Sequence, residues 1–152
     1  MSAPVFCHIM PWFDTPATNS GNWGSHWTMK NRNPDVIDSD GKRQIASHYY
    51  PLIGPYASSD AAVIEWQQRL MKTAGFDGIL IDWYGIAGTN GDLSKLMINS
   101  DAIVNGISSS GMSFAVVMED NFWADTSTAR SNLLFLNNTY FRNPAYARGE
   151  AL

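Results

Sequence analysis

The sequence has one cysteine, little excess charge and no long apolar run, and each shortage excludes a class of protein. Cys7 alone cannot build an internal disulfide framework or a metal site made of several cysteines. The 14 acidic and 10 basic residues give a net charge of −4, and the scattered basic residues argue against a nucleic-acid-binding surface. The apolar runs are far shorter than the roughly 20 residues that span a bilayer. We therefore expect no nucleic-acid and no membrane partner.

The N-terminal residues MSAPVF also lack the basic start and the apolar segment of an export signal. This is typical of a cytoplasmic protein or of one whose export signal has been removed, so the compartment stays open. A length of 152 residues, 45% of them hydrophobic, is sufficient for one core and predicts no second domain.

Short apolar segments alternate with segments of helical periodicity. The predicted strands cover residues 5–10, 78–83 and 113–118, and the predicted helices cover residues 61–74, 93–109 and 126–141. An irregular stretch, residues 12–58, indicates a long functional loop. The alternation predicts parallel strands joined by right-handed crossovers. The fold class is therefore α/β: a partial (β/α)8 TIM barrel of about three β/α units with a long first βα loop, since a closed barrel takes about 250 residues.

The same periodicity predicts which helical side chains face the core, and residues 148–152 resemble the approach to a fourth strand. In the first predicted helix the spacing turns Leu70 inward and Gln68 outward. In the third predicted helix it turns Leu133 and Leu134 inward.

Each predicted strand ends in acidic and aromatic residues. The three ends read PWFD (11–14), DWYG (82–85) and EDNFW (119–123). In parallel α/β folds these ends converge on one face of the molecule. Aromatic rings pack on the apolar faces of sugars and carboxylates bind sugar hydroxyls, so the pattern predicts a sugar-binding cleft. The alternative is that Trp12, Trp83 and Trp123 only cap the end of the sheet.

The acidic residues leave two choices open. Glu119 and Asp120 suggest the carboxylate pair of a glycosidase, but neighbouring strand residues point to opposite faces, so at most one of them faces the cleft. Asp82 could contact a ligand or could form an internal hydrogen bond. Three histidines lie in or near the expected site: His8, His26 and His48. No HxH or HExxH spacing accompanies them, so we expect no metal.

Five motifs occur in a recognisable order along the chain. They are HIMPWF (8–13), WGSHW (23–27), IASHYYPLIGPYASSD (45–60), GILIDWYG (78–85) and FAVVMED (114–120). Together they resemble the opening of glycoside hydrolases of the families 71 and 99 type, which include endo-acting α-mannosidases and α-1,3-glucanases. The third motif is the most specific, because its aromatic, Pro and Gly positions fall in a loop where no core periodicity dictates them.

The resemblance implies a barrel enzyme that hydrolyses O-glycosidic bonds in an α-linked polysaccharide or glycan without a metal or other cofactor. Residues 1–152 would be the N-terminal portion of its catalytic barrel. In family 99 the sugar's own 2-hydroxyl is thought to act as the internal nucleophile, assisted by one carboxylate, while a second carboxylate acts as acid. The sequences of residues 82–84 and 118–120 differ from those typical of endomannosidases, which leaves the specificity for mannan open.

The resemblance also implies roles for single residues. It places Trp12 or Phe13, Tyr50, Trp83 and Glu119 among the substrate-contacting groups, with the main acid and base on a later strand. Glu119 is therefore the candidate catalytic residue of this chain. The candidate substrate-binding residues come from the same motifs and strand ends: Trp12, Phe13, His26, Trp27, Tyr50, Asp82, Trp83, Tyr84, Asp120 and Trp123.

Two other hypotheses remain beside hydrolysis. The chain could keep the aromatic rim and bind carbohydrate without catalysis, as a vestigial module. It could also be a half-barrel that self-associates, because a sheet of three parallel strands leaves two unpaired edges.

Overall fold

The structure is a computed structural model and describes residues 3–148. Within this range one parallel sheet has the order β1-β2-β3, formed by β1 (Phe6–Ile9), β2 (Gly78–Trp83) and β3 (Ser113–Met118). The α-helices of the same range are α1 (Ser25–Thr28), α2 (Ala61–Thr73), α3 (Leu93–Ser110) and α4 (Thr126–Asn138). Two short 3-10 turns cover Asp120–Phe122 and Tyr140–Arg142. The predicted α/β fold with parallel strands is confirmed.

The second and third strands have the predicted bounds, while β1 is one residue shorter at each end than the predicted strand 5–10. In the register of the sheet, Ile9 pairs with Ile81, and Asp82 pairs with Val117. The carboxyl ends of all three strands therefore lie at one edge, and the loops that follow them meet there.

Local sequence signals set the ends of two helices. The Asp60 carboxylate caps α2, because its Oδ1 accepts hydrogen bonds from the backbone N–H groups of Ala62 at 2.8 Å and Val63 at 3.2 Å. Gly111 ends α3 in the left-handed region, with φ at +68°. Both helices end within one residue of the predicted bounds, whereas α4 ends three residues early and a 3-10 turn follows it.

The core lies between one face of the sheet and the helices. Ile79, Ile81 and Trp83 of β2 are at most 1% exposed and pack with Ile107 of α3 and Leu136 of α4. Because these β2 side chains are two residues apart, Leu80 and Asp82 point to the other face of the sheet. Within the described residues, every helix is too short or too polar to span a bilayer.

The inner face predicted for α4, the third of the predicted helices, is partly wrong. Leu133 and Leu134 are 46% and 48% exposed, whereas Asn132, Leu136 and Tyr140 are buried. These three buried residues follow one another at intervals of four, so they form a single stripe along the helix and the turn after it. The two exposed leucines lie to the sides of that stripe.

The inner face predicted for α2 is also partly wrong. Leu70 is 50% exposed, and Gln68 is buried with 4% exposure. The physical reason is Gly106 of α3, where a side-chain carbon would come within 2.6 Å of Ile64 and 3.3 Å of the Gln68 amide nitrogen. The missing side chain lets α2 approach α3 closely, with Gln68 in the contact.

Aromatic residues give the long first loop a small core of its own. The Phe13 ring lies 4.1 Å from the Trp27 ring, and the Trp27 ring lies 5.5 Å from that of Tyr56. The Trp27 indole N–H donates to the Tyr56 carbonyl at 2.9 Å. The sequence pattern gave no sign of α1, which holds Trp27 in this cluster.

The outer edge of β3 already has a short parallel neighbour. The Phe114 N–H donates to the Ala145 carbonyl at 2.9 Å, and the Ala147 N–H donates to the Phe114 carbonyl at 2.7 Å. Tyr146 thus forms a parallel bridge with Phe114. The predicted approach to a fourth strand covers residues 148–152, and positions 149–152 of it lie outside the described residues. The bridge occurs just before that segment.

Candidate functional site

Side chains from all three strand ends meet on the face of the sheet opposite the helices. His8 of β1 lies with its Nε2 3.8 Å from Asp82 Oδ1 of β2. The register places Val117 beside Asp82, so the alternation of β3 brings Glu119 to the same face, beyond Asp82. The Glu119 N–H donates to the Trp83 carbonyl at 2.9 Å, so the hydrogen bonding between β2 and β3 continues as far as Glu119.

The two carboxyl groups differ in their surroundings. Asp82 is 2% exposed, whereas Glu119 is only partly buried. Hydrogen bonding to Asp82, partial burial and the negative charge of Asp82 raise the pKa of the Glu119 carboxyl, while His8 acts in the opposite direction. A carboxyl group next to another carboxylate keeps its proton to higher pH, which is the property of a general acid or of a hydrogen-bond donor.

Two aromatic side chains border this pair of acids. Tyr84 is buried with 8% exposure, two residues after Asp82 and on the same face. Burial and the charge of Asp82 raise the pKa of its hydroxyl to about 12, and the indole N–H of Trp12 opposes that rise. Tyr84 therefore remains a neutral hydroxyl beside two carboxyl groups, and Trp12 reaches the site from the loop after β1.

A second polar group adjoins Trp12. The His26 ring is stacked on the Trp12 ring with 4.7 Å between centroids and 21° between planes, and His26 Nε2 lies 3.9 Å from Asp92 Oδ2. Burial lowers the pKa of His26, although the charges of Asp92 and Asp14 oppose this. Burial raises the pKa of Asp14, whose carboxyl group accepts a hydrogen bond from the Thr18 hydroxyl at 3.4 Å. A neutral imidazole is thus favoured against the tryptophan.

The structure brings together five of the residues that the sequence singled out for substrate contact or catalysis. They are Trp12, His26, Asp82, Tyr84 and Glu119. His8, which the sequence also placed near the site, belongs to the same group.

Three other candidates lie elsewhere. Trp83 is 1% exposed on the helix side of the sheet, where its ring stacks on Phe135 at 5.9 Å and meets Tyr140 edge-on at 6.2 Å. Phe13 and Trp27 belong to the aromatic cluster of the long loop. Packing explains the positions of Trp83 and Trp27, which are both 1% exposed, whereas Phe13 is only partly buried.

Of the last three candidates, Asp120 and Trp123 adjoin the site and Tyr50 lies within the long loop. The Tyr50 hydroxyl accepts a hydrogen bond from the Arg43 N–H at 3.2 Å within the long loop. Asp120 is exposed and begins a 3-10 turn, which removes it from the strand alternation that Glu119 still follows. The Trp123 indole N–H donates to the Tyr84 carbonyl at 3.1 Å, so Trp123 supports the loop after β2.

Sequence reasoning missed two polar residues around the site. Asp92 lies just before α3, and Asn132 lies inside α4, so neither is part of a strand-end motif. Both make contacts across more than 40 positions of the chain, to His26 and to the loop of residues 86–87. No local pattern could indicate such contacts. Among the described residues, no group of three or more His, Cys, Asp or Glu side chains is arranged to hold a metal ion.

The chain is similar in sequence to known proteins and in fold to a solved structure. No family model matches the sequence. The chain is 26% identical over 124 residues to the glycoprotein endo-alpha-1,2-mannosidase of Xenopus laevis, which covers 80% of this chain and 27% of that protein. It is 24% identical over 147 residues to a glycoprotein endo-alpha-1,2-mannosidase-like protein of Danio rerio, covering 90% of this chain and 33% of that protein.

A solved structure has the same fold. The GH99 endo-alpha-mannosidase from Bacteroides thetaiotaomicron matches 96% of this chain and 42% of its own, with a TM-score of 0.70 and 21% identity. The chain is GH99-like. It spans between a quarter and a half of the length of these proteins. At 21% identity the likeness to the solved structure concerns the fold alone.

Proposed function

We propose that this GH99-like chain forms the first three β/α units of a (β/α)8 barrel and supplies the glycan-binding wall of a glycosidase. Residues 1–152 would then be an N-terminal portion of a catalytic barrel. Support comes from the parallel order β1-β2-β3, the crossovers through α2 and α3, and the parallel bridge on the outer edge of β3.

One observation carries the functional part of the proposal. Asp82 and Glu119 lie side by side at the carboxyl ends of two adjacent parallel strands, with the Trp12 ring and the Tyr84 hydroxyl next to them. Carboxyl groups bind sugar hydroxyls, and the indole offers an apolar surface for a sugar face. Catalytic groups of such folds lie at this end of the strands.

We propose an α-linked glycan as the ligand, with an α-1,2-linked mannoside as the first probe. The relative from Xenopus laevis is a glycoprotein endo-alpha-1,2-mannosidase, and the protein of the solved structure is an endo-alpha-mannosidase. Glu119, with its raised pKa, would donate a hydrogen bond to a sugar oxygen. Trp12, Asp82 and Tyr84 would bind and orient the sugar. The resemblance places the main acid and base on a later strand, so we propose binding without hydrolysis for this chain, with neither metal nor cofactor involved.

Titration calorimetry with α-1,2-linked mannobiose tests this function. We expect weak binding that Trp12→Ala lowers roughly fivefold, since a ring contact contributes about 1 kcal/mol beyond burial. We also expect Glu119→Gln to weaken binding. A reducing-end assay should show no release of sugar.

Each variant has a matched control on the same chain. Trp66→Ala removes a half-exposed tryptophan of α2, and Asp120→Asn neutralises the exposed acid next to Glu119. Both controls should bind like the wild type. Equal weakening by a control and its partner variant, or an absence of binding by the wild type, would reject the proposal, and sugar release would reject the non-catalytic part of it.

Self-association is a second proposal, favoured by a specific observation at the other edge of the sheet. Beside β1, whose outer edge has no strand neighbour among residues 3–148, lies a groove of about 390 Å³. Its apolar lining includes Met10, Phe13, Leu70 and Met71. An unpaired edge with apolar flanks favours pairing with a second copy of the chain.

Sedimentation over a range of concentrations tests this pairing. We expect a mass that rises with concentration, and Leu70→Glu should abolish the rise because it puts a charge into the groove. Ile98→Glu is the matched control, since Ile98 is 55% exposed on α3, outside the groove, against 50% for Leu70. A wild-type chain that stays monomeric at micromolar concentration contradicts self-association.

A further inference from the structure

A buried side chain of α4 holds the loop that follows β2. Asn132 is 0% exposed. Its Oδ1 accepts hydrogen bonds from the N–H groups of Ile86 at 2.8 Å and Ala87 at 3.0 Å, and its Nδ2 donates to the Ala87 carbonyl at 2.9 Å. Both ends of one amide side chain therefore bind two consecutive residues of the loop.

The residue before this pair packs directly against the same amide. Gly85 has φ at +100°, a backbone conformation that residues other than glycine rarely adopt. A side-chain carbon at this position would lie 2.4 Å from Asn132 Nδ2. The glycine at position 85 therefore leaves the room that the buried Asn132 amide occupies.

A second attachment holds the loop from the segment after β3. The Trp123 indole N–H donates to the Tyr84 carbonyl at 3.1 Å, and the Thr89 N–H donates to the Phe122 carbonyl at 2.8 Å. The Tyr84 ring also lies 5.2 Å from the Phe122 ring. Tyr84 is therefore placed between two anchors, of which Asn132 is the one buried in the core layer.

We propose that Asn132 is a positioning residue: it fixes the backbone of residues 85–87 and thereby holds the Tyr84 hydroxyl next to Asp82 and Trp12. The role of Tyr84 toward a glycan rests on the proposed function. The hold of Asn132 on the loop is independent of any ligand. A merely stabilising amide would lower the stability of the whole fold without changing the position of Tyr84.

Amide hydrogen exchange and the ring signals of Tyr84, both measured by NMR, separate these two roles. In Asn132→Ala we expect the amides of Ile86 and Ala87 to exchange about tenfold faster relative to that of Ile81, as for the loss of one hydrogen bond. The ring signals of Tyr84 should shift. Leu136→Val is the control, because Leu136 is equally buried on the same helix but belongs to the core cluster.

Unchanged exchange at Ile86 and Ala87, an unmoved Tyr84 ring, or equal changes in Leu136→Val would overturn the proposal. If Asn132→Ala does not fold, the same exchange measurement on the wild type keeps the proposal testable. The wild type alone also decides the matter, because exchange at Ile86 and Ala87 as fast as at the exposed Gly91 contradicts the hold.

Titration with α-1,2-linked mannobiose distinguishes failure of this proposal from failure of the proposed function. If the wild type does not bind the sugar, the proposed function fails and the exchange rates still decide the role of Asn132. If the wild type binds and Asn132→Ala shifts Tyr84, we expect weaker binding by this variant. Unchanged binding there would overturn the role of Asn132 in the site.

Discussion

Replacing Trp83 with alanine is expected to lower the free energy of unfolding by about 3–5 kcal/mol, as for other fully buried aromatic residues. The indole is 1% exposed and fills the space between the sheet and the rings of Phe135 and Tyr140. Its removal leaves a cavity in the layer that joins β2 to α4. Since small domains are stable by about 5–15 kcal/mol in total, the loss is large and is measured by urea unfolding.

The control for this prediction is Trp66, which is 38% exposed on α2. We expect Trp66→Ala to change the free energy of unfolding by less than about 1 kcal/mol. A Trp83→Ala variant as stable as Trp66→Ala, with impaired sugar binding, would instead place Trp83 in the cleft. Equal and small effects of both would contradict the packing described for β2.

Replacing Asp82 with asparagine is expected to lower the pKa of Glu119 toward the ordinary glutamate range. Asp82 supplies the largest contribution to the rise, through hydrogen bonding and through its charge. An asparagine amide at the same position can donate to the Glu119 carboxylate and favour its charged form. NMR titration of the Glu119 carboxyl carbon in the wild type and the variant measures the change.

This substitution should also change the dependence of stability on pH. Because the pKa of Glu119 is raised in the folded state, the folded chain binds the proton more readily than the unfolded chain. Stability from this group is therefore lost as the pH rises from the ordinary glutamate pKa of 4.5 through the raised value. We expect Asp82→Asn to flatten this loss of stability. The loss is below about 1 kcal/mol because Glu119 is only partly buried and solvent screens its interactions.

Asp120→Asn is the matched control, since the charge of Asp120 contributes less to the pKa of Glu119 than Asp82 does. A fall of equal size in both variants, or an unchanged pKa in Asp82→Asn, would show that Asp82 and Glu119 do not act as a pair.

The elements of the fold were predictable because their signals are local. The apolar run of residues 78–83 predicts β2 to the residue, and Asp60 and Gly111 mark helix ends through capping. The faces of the helices were less predictable. Gln68 is buried because Gly106 of a different helix leaves room for it, and periodicity within one helix contains no information about that contact.

The site shows what strand alternation can and cannot supply. Once Asp82 faces away from the helices, alternation puts Trp83 into the core and Tyr84 beside Asp82, so Asp82 and Trp83 cannot share one cleft. The choice between Glu119 and Asp120 needed the register of β3 against β2. The contacts of Asp92 and Asn132 needed the complete tertiary structure.

The central claim is that the strand ends around Asp82 and Glu119 form one glycan-binding wall. Chemical-shift mapping during titration with α-1,2-linked mannobiose tests it most directly. We predict the largest shifts at the indole N–H of Trp12 and at the backbone amides of Tyr84 and Glu119, with the buried indole of Trp83 unchanged. Shifts confined to other surfaces, or a saturating shift at Trp83 without any at Trp12, would contradict the account.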